Sequence, residues 1–131
     1  MSTNQLRTRI NTELALGRAS VASNPGKARV CARRAAGWAI QAWYQAREGP
    51  GWSGDAMKQL NRLWADPAAP EAVRAAAERL STKVDREHRL PFDNDPLEDA
   101  RSIIAWALAR SDEPPKVKGA GDGRRTDRFT G

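Results

Sequence analysis

The chain has 131 residues, a net charge of +6 and a pI of about 10.2, and its length is that of one globular domain. One cysteine and one histidine exclude an internal disulfide and argue against a zinc site. The sequence has no apolar run near the roughly 18–20 residues of a membrane helix and no apolar signal core, so we expect a cytoplasmic protein without cofactors.

The first two predicted helices are defined by the residues that begin them. Ser2 and Gln5 fit a capping box that starts a helix extending to about Ser23. Asn24, followed by proline, predicts a second helix that ends at the Gly-Pro-Gly sequence of residues 49–51. Its apolar face carries two heptad rows of alanine, which indicate a central helix with closely packed neighbours. These rows are Ala28, Ala35 and Ala42, and Ala32, Ala39 and Ala46.

Three shorter helices are predicted in the second half of the chain. One covers about residues 54–65, with Ser53 as its candidate cap. The next begins near Pro70, and its apolar residues are spaced so that they form one buried stripe. The last has the strongest start signal, because Asp95 is followed by proline and a capping acid, and it ends near Arg110.

The predicted fold class is all-α, since no alternating run of β-branched residues indicates a strand. We expect a single compact bundle of about five helices over residues 1–111. Residues 112–131 are rich in proline, glycine and charge, and we expect them to form a flexible tail that is disordered when the protein is alone. Trp43 and Trp106 lie outside the main apolar stripes of their helices. Their positions favour a second apolar surface that packs against another copy of the chain, and hence an oligomer.

His88 is the one candidate for acid–base chemistry, because only histidine has an ordinary pKa near neutrality. Its candidate partners are Lys83, Arg79 and Asp85. The simpler interpretation is a surface histidine near a helix carboxyl end, where positive charge is favourable. The sequence has no phosphate-binding loop and no nucleophile motif, and the acids beside the fifth helix are explained as helix-start signals. We therefore predict no catalytic residue and no metal site.

The positive charge is concentrated at the amino-terminal end of the chain. Residues 1–47 contain eight Lys and Arg against one acid, whereas residues 48–111 contain nine bases and eleven acids. This asymmetry suggests a polyanionic partner for the first two helices. The alternative is a basic surface that only keeps the protein soluble.

The second helix carries a candidate nucleic-acid interface. Arg29, Arg33 and Arg47 fall within about 40° of one another on a helical wheel, and Tyr44 lies beside them. Arginine pairs with phosphates through two N–H groups, and an aromatic ring can stack on a base. The alternative is a solvated face with Tyr44 half-buried. Two further basic residues, Lys27 and Arg34, lie on another exposed sector of the helix. The predicted site comprises Lys27, Arg29, Arg33, Arg34, Tyr44 and Arg47.

The stretch from Gly17 to Gly37 resembles the first helical hairpin of HEPN-like domains, with a helix, a short Asn- and Gly-containing turn, and an Ala-rich helix. The start of the fifth helix is similar to the last helix of small prokaryotic relatives. The resemblance covers about residues 5–110 and implies a helical bundle that commonly dimerises. Many HEPN members are metal-independent ribonucleases with an Arg shortly before a His, whereas eight residues separate Arg79 from His88 here. The resemblance therefore implies a non-catalytic relative that binds nucleotides or RNA.

The sequence-based hypothesis is a non-enzymatic, homo-oligomeric helical module. It contacts nucleic acid, either RNA or DNA, or a nucleoprotein complex, through its basic amino-terminal face. One alternative is a HEPN-type ribonuclease or toxin that uses His88. Another is a protein–protein adaptor or assembly subunit.

Overall fold

Five α-helices account for most of the chain that the computed structural model describes, which is residues 2–49, 53–82 and 94–111. They are α1 (Thr3–Ser20), α2 (Pro25–Glu48), α3 (Ala56–Trp64), α4 (Glu71–Ser81) and α5 (Pro96–Ser111). These ranges contain no strand, which confirms the all-α class. No helix within them is both long and apolar enough to cross a bilayer. His88, with Lys83 and Asp85, and the predicted tail at 112–131 lie outside the described residues.

The caps of α1 and α2 are the predicted ones. The Gln5 backbone N–H donates to Ser2 Oγ at 3.1 Å, and the Ser2 N–H donates to Gln5 Oε1 at 2.8 Å, which completes the capping box. At the start of α2, the Lys27 N–H donates to Asn24 Oδ1 at 3.1 Å. Side chains therefore satisfy backbone donors that lack a partner within their own helix.

The start of α3 differs from the prediction, because Asp55 and not Ser53 is the cap. The Lys58 N–H donates to Asp55 Oδ1 at 2.9 Å. The carboxylate also lies at the positive end of the helix dipole, which favours an acid there. The absence of a side chain at Gly37 lets α3 approach α2, since a Cβ at this position would lie 3.0 Å from Ala56 Cα.

The α2 helix is central and packs against each of the other four helices. Its alanine rows are buried along most of their length, as predicted, but Ala42 is only partly buried and Ala46 is exposed. The rings of Trp43 and Trp106 lie 4.6 Å apart between centroids, which joins α2 to α5 within one chain. This contact corrects the interpretation of the two tryptophans as marks of a second surface. The oligomeric state remains a prediction.

At Gly17, α1 packs tightly against its neighbours, since an added Cβ would lie 2.9 Å from Cys31 Cβ and 3.0 Å from Leu97 Cδ2. We expect Gly17→Ala to lower the free energy of unfolding by about 1 kcal/mol. Overpacking costs roughly 1–3 kcal/mol, which exceeds the roughly 1 kcal/mol that alanine gains over glycine in helix propensity. Urea denaturation measures this change. Gly26→Ala is the control, since a Cβ there meets only Asn24 Oδ1 at 3.6 Å. Equal stability of both variants would contradict the tight packing.

Candidate nucleic-acid interface

Arg29 and Arg33 bind the carboxyl end of α4 and do not form the exposed basic face predicted for them. Arg29 Nη2 donates to the carbonyl oxygens of Arg79 at 2.6 Å, Thr82 at 2.7 Å and Leu80 at 3.3 Å. Arg33 donates to Leu80 O at 2.7 Å through Nε and to Thr82 O at 3.0 Å through Nη2. The last carbonyls of a helix have no intrahelical donor, and the two guanidinium groups supply one. Arg29 is consequently only 7% exposed.

The positive charge of Arg29 and Arg33 is partly balanced by one buried acid, Asp99. Burial and the neighbouring Arg33 lower the pKa of Arg29 to about 10, and Asp99 opposes this effect. Burial also lowers the pKa of Arg33. Both groups remain charged at neutral pH, and Asp99 pairs with Arg79 at 2.8 Å. The surroundings of Arg29 and Arg33 are those of structural residues at the junction of α2, α4 and α5.

Tyr44 is fully buried, where the sequence-based alternative had it half-buried. Its hydroxyl donates to Asp66 Oδ2 at 2.7 Å, and the Arg62 guanidinium lies over its ring, 3.7 Å from the centroid. Its ring also meets that of Trp43 edge-on. Tyr44 therefore offers no open face on which a base could stack. Arg47 is exposed, and its guanidinium lies over the Trp43 ring at 4.3 Å.

The Tyr44–Asp66 bond makes stability depend on pH. Burial disfavours the charged form of Asp66, but hydrogen bonds from the Tyr44 hydroxyl and the Ala68 amide, together with the charges of Arg47 and Arg62, outweigh it and lower the pKa of Asp66. The stability from a depressed acid pKa is fully present above the unfolded value near 3.9 and is lost as pH falls through the folded value. We expect Tyr44→Phe to lower the free energy of unfolding by about 1–2 kcal/mol at pH 7, and by less as the pH falls below the unfolded pKa. Urea midpoints across this range measure it, and a constant deficit would contradict the assignment.

A cleft of about 390 Å³ opens between the first half of α1, the middle of α2 and the start of α3. This volume lies in the range of roughly 300–1,000 Å³ that is typical of ligand sites. Its polar and aromatic lining consists of Arg9, Arg34, Trp38, Gln41, Gln45, Asp55 and Gln59. Of the six residues predicted from sequence, only Arg34 lines the cleft. Lys27 is exposed in the first turn of α2.

Two arginines bring positive charge to this cleft. The Arg9 guanidinium lies over the ring of Trp38, 4.3 Å from its centroid, so that an aromatic ring and a guanidinium form one stacked unit. Arg34 Nη1 donates to Glu13 Oε2 at 2.9 Å, and the Arg34 side chain remains 51% exposed whereas that of Glu13 is 11% exposed. Arg34 therefore balances a nearly buried carboxylate and still presents further N–H groups to solvent. Sequence reasoning missed Arg9, Trp38 and Gln41 as site residues.

Two glutamine amides of the cleft, those of Gln41 and Gln59, have a defined orientation. Gln59 is only 1% exposed, and its Nε2 donates to Gly54 O at 3.1 Å and to Gln41 Oε1 at 3.1 Å. A backbone carbonyl can only accept, so the nitrogen of Gln59 must face Gly54. Gln41 therefore accepts through its oxygen, and its amino group is left as the donor of this side chain at the cleft.

Comparison with known proteins gives no match: no family model matches the chain, and no curated protein or solved structure is significantly similar to it. The resemblance to HEPN-like domains accordingly stays a prediction. Within the described residues, no group of three or more His, Cys, Asp or Glu side chains is arranged to hold a metal ion.

Proposed function

We propose that this protein binds single-stranded nucleic acid, RNA or DNA, through the cleft between α1, α2 and α3. The observation that carries the proposal is the Arg9–Trp38 stack beside Arg34 in one cleft. Unpaired bases stack on aromatic rings and on guanidinium planes, and arginine also pairs with phosphates. The cleft therefore combines the two kinds of contact that bind a nucleotide in a single strand.

The charge distribution supports a polyanionic ligand on this side of the bundle. Residues 2–49 contain eight Lys and Arg against two acids, whereas the described residues 53–82 and 94–111 contain six bases and seven acids. Arg18 is engaged with Asp95 and Glu98 of α5. Arg9 is exposed and forms no ion pair with any described residue. Its charge remains available to a phosphate, and such contacts supply much of the affinity for nucleic acids.

The binding test uses fluorescence anisotropy with labelled 12-nucleotide single strands of RNA and DNA and with the corresponding duplexes. We expect the single strands to bind more tightly than the duplexes, because a base must be unpaired to enter the cleft. Affinity should fall as salt rises, since phosphate contacts release counterions. Arg9→Glu and Trp38→Leu should each weaken binding about tenfold, the effect of one lost phosphate or stacking contact.

Arg101→Glu is the matched control, because it makes the same charge change at an exposed residue of α5, and no residue of α5 lines the cleft. We expect it to weaken binding less than threefold, as roughly expected for a change in overall field alone. If Arg101→Glu and Arg9→Glu weaken binding equally, only net charge matters and the cleft is not the site. Absence of binding to every strand at low salt would also overturn the proposal.

A further inference from the structure

We infer that the cleft selects bases with a keto oxygen at purine C6 or pyrimidine C4, which are guanine and uracil or thymine, over adenine and cytosine, which carry an amino group there. This inference rests on the proposed function and names the class of base that the same site accepts. It follows from the fixed orientation of the Gln41 amide and from the carboxylate of Asp55.

The first step is the donor. The Gly54 carbonyl fixes the amide of Gln59, and Gln59 in turn fixes that of Gln41, each through a bond of 3.1 Å. Because Gln59 is buried, solvent cannot readily replace either bond. A ligand beside Gln41 therefore meets an N–H₂ donor, which pairs with an acceptor and disfavours another amino group. Guanine O6 and uracil or thymine O4 are acceptors, whereas adenine N6 and cytosine N4 are donors.

The second step is the acceptor. Asp55 directly follows Gly54 and lines the same cleft, and its Oδ1 is held by the Lys58 N–H at 2.9 Å. An ionised carboxylate only accepts hydrogen bonds. In guanine and uracil the ring nitrogen beside the keto oxygen carries a hydrogen, whereas in adenine and cytosine the corresponding nitrogen is an acceptor. A donor from Gln41 and an acceptor from Asp55 therefore complement keto bases and oppose amino bases at both positions.

One variant removes the Gln41 donor and keeps the contact with Gln59. A carboxylate at position 41 can still accept the bond from Gln59 Nε2, so Gln41→Glu keeps the internal contact and replaces the amino group by an acceptor. Its negative charge weakens binding to every strand, and the readout is therefore the ratio of affinities. Gln45→Glu is the matched control, since it places the same charge on the same helix and in the same cleft.

The experiment measures anisotropy with 12-nucleotide strands of oligo(U), oligo(A) and oligo(C), and with oligo(C) that carries one central guanine. The wild-type protein should bind oligo(U) and the guanine-containing strand about tenfold more tightly than oligo(A) and oligo(C). Gln41→Glu should remove or reverse this preference, and Gln45→Glu should leave the ratio of affinities unchanged. Equal wild-type affinities, or equal ratios in both variants, would overturn keto selection and leave single-strand binding intact. Failure to bind all four strands would contradict the proposed function itself.

Discussion

Replacement of Arg29 by methionine should lower the free energy of unfolding by about 3 kcal/mol, because hydrogen bonds to a charged group contribute about 1.5–3 kcal/mol each and the carbonyls that remain are wholly or partly buried. Methionine fills most of the volume of the arginine stem but donates no hydrogen bond. The carbonyls of Arg79, Leu80 and Thr82 would lose the Arg29 donor at the end of α4. Arg33 reaches only two of them, so it can compensate only in part.

Urea denaturation followed by circular dichroism measures the loss at Arg29. Arg47→Met is the matched control, since Arg47 lies on the same helix but is exposed, with its guanidinium over the face of Trp43. We expect this control to cost less than about 1 kcal/mol, the value of an exposed cation–π contact. Arg29→Lys should fall between the two, because one ammonium group cannot reproduce the planar array of donors. Equal midpoints for Arg29→Met and Arg47→Met would contradict the capping role.

Replacement of Asp99 by alanine should be comparably destabilising, by about 3 kcal/mol, the low end of the cost of breaking a buried ion pair. Two nitrogens of Arg79 bind the Asp99 carboxylate, with Nη2 at 2.8 Å and Nε at 3.1 Å from its oxygens. The Asp99 side chain is 8% exposed and that of Arg79 is 29% exposed, so solvent screens the pair only in part. Asp99 also offsets the charge of Arg29. Its removal therefore leaves three guanidinium groups at one helix junction.

A double-mutant cycle separates these contributions. In an Arg79→Met background, Asp99→Ala should cost at least about 1 kcal/mol less than in the wild-type protein, since contacting residues are not additive. Glu98→Ala is the control, because Glu98 is the adjacent acid, is exposed and forms only long ion pairs. It should change stability by less than about 1 kcal/mol. Strict additivity of Asp99→Ala and Arg79→Met would show that the pair contributes nothing specific.

Local sequence signals predicted most of the architecture, because helix starts depend on a few neighbouring residues. Ser2 with Gln5, and Asn24 before proline, gave the starts of α1 and α2 to within one or two residues. At α3 the predicted cap, Ser53, was wrong, because Asp55 two residues later takes that role. The starts of α1 and α2 required no knowledge of tertiary contacts, which is why they were predictable.

The exposure predicted for the interface residues was less accurate, since a helical wheel shows which residues share a sector but not what faces that sector. Arg29 and Arg33 do lie on one side of α2, but that side meets the end of α4. Charge reversal at either residue would therefore lower the stability of the fold, and a loss of binding could not be assigned to the interface. Arg9 and Trp38 could have been found by treating α1 and α2 as an antiparallel hairpin. Residues at similar distances from its turn then lie near each other, as Arg9, 11 residues before the end of α1, and Trp38, 13 residues after the start of α2, do.

The contact between Gly37 and Ala56 allows the width of the cleft to be changed independently of its charged and aromatic side chains. The helix α3 lies close to α2 here, because a Cβ at position 37 would lie only 3.0 Å from the Cα of Ala56 and 3.1 Å from its Cβ. A larger residue at position 37 would move α3 outward, while Arg9 and Trp38 stay on α1 and α2. The wild-type protein and the variants Gly37→Ala and Gly37→Ser thus form a series in which the width of the cleft changes. Arg9 and Trp38 are the same in all three proteins.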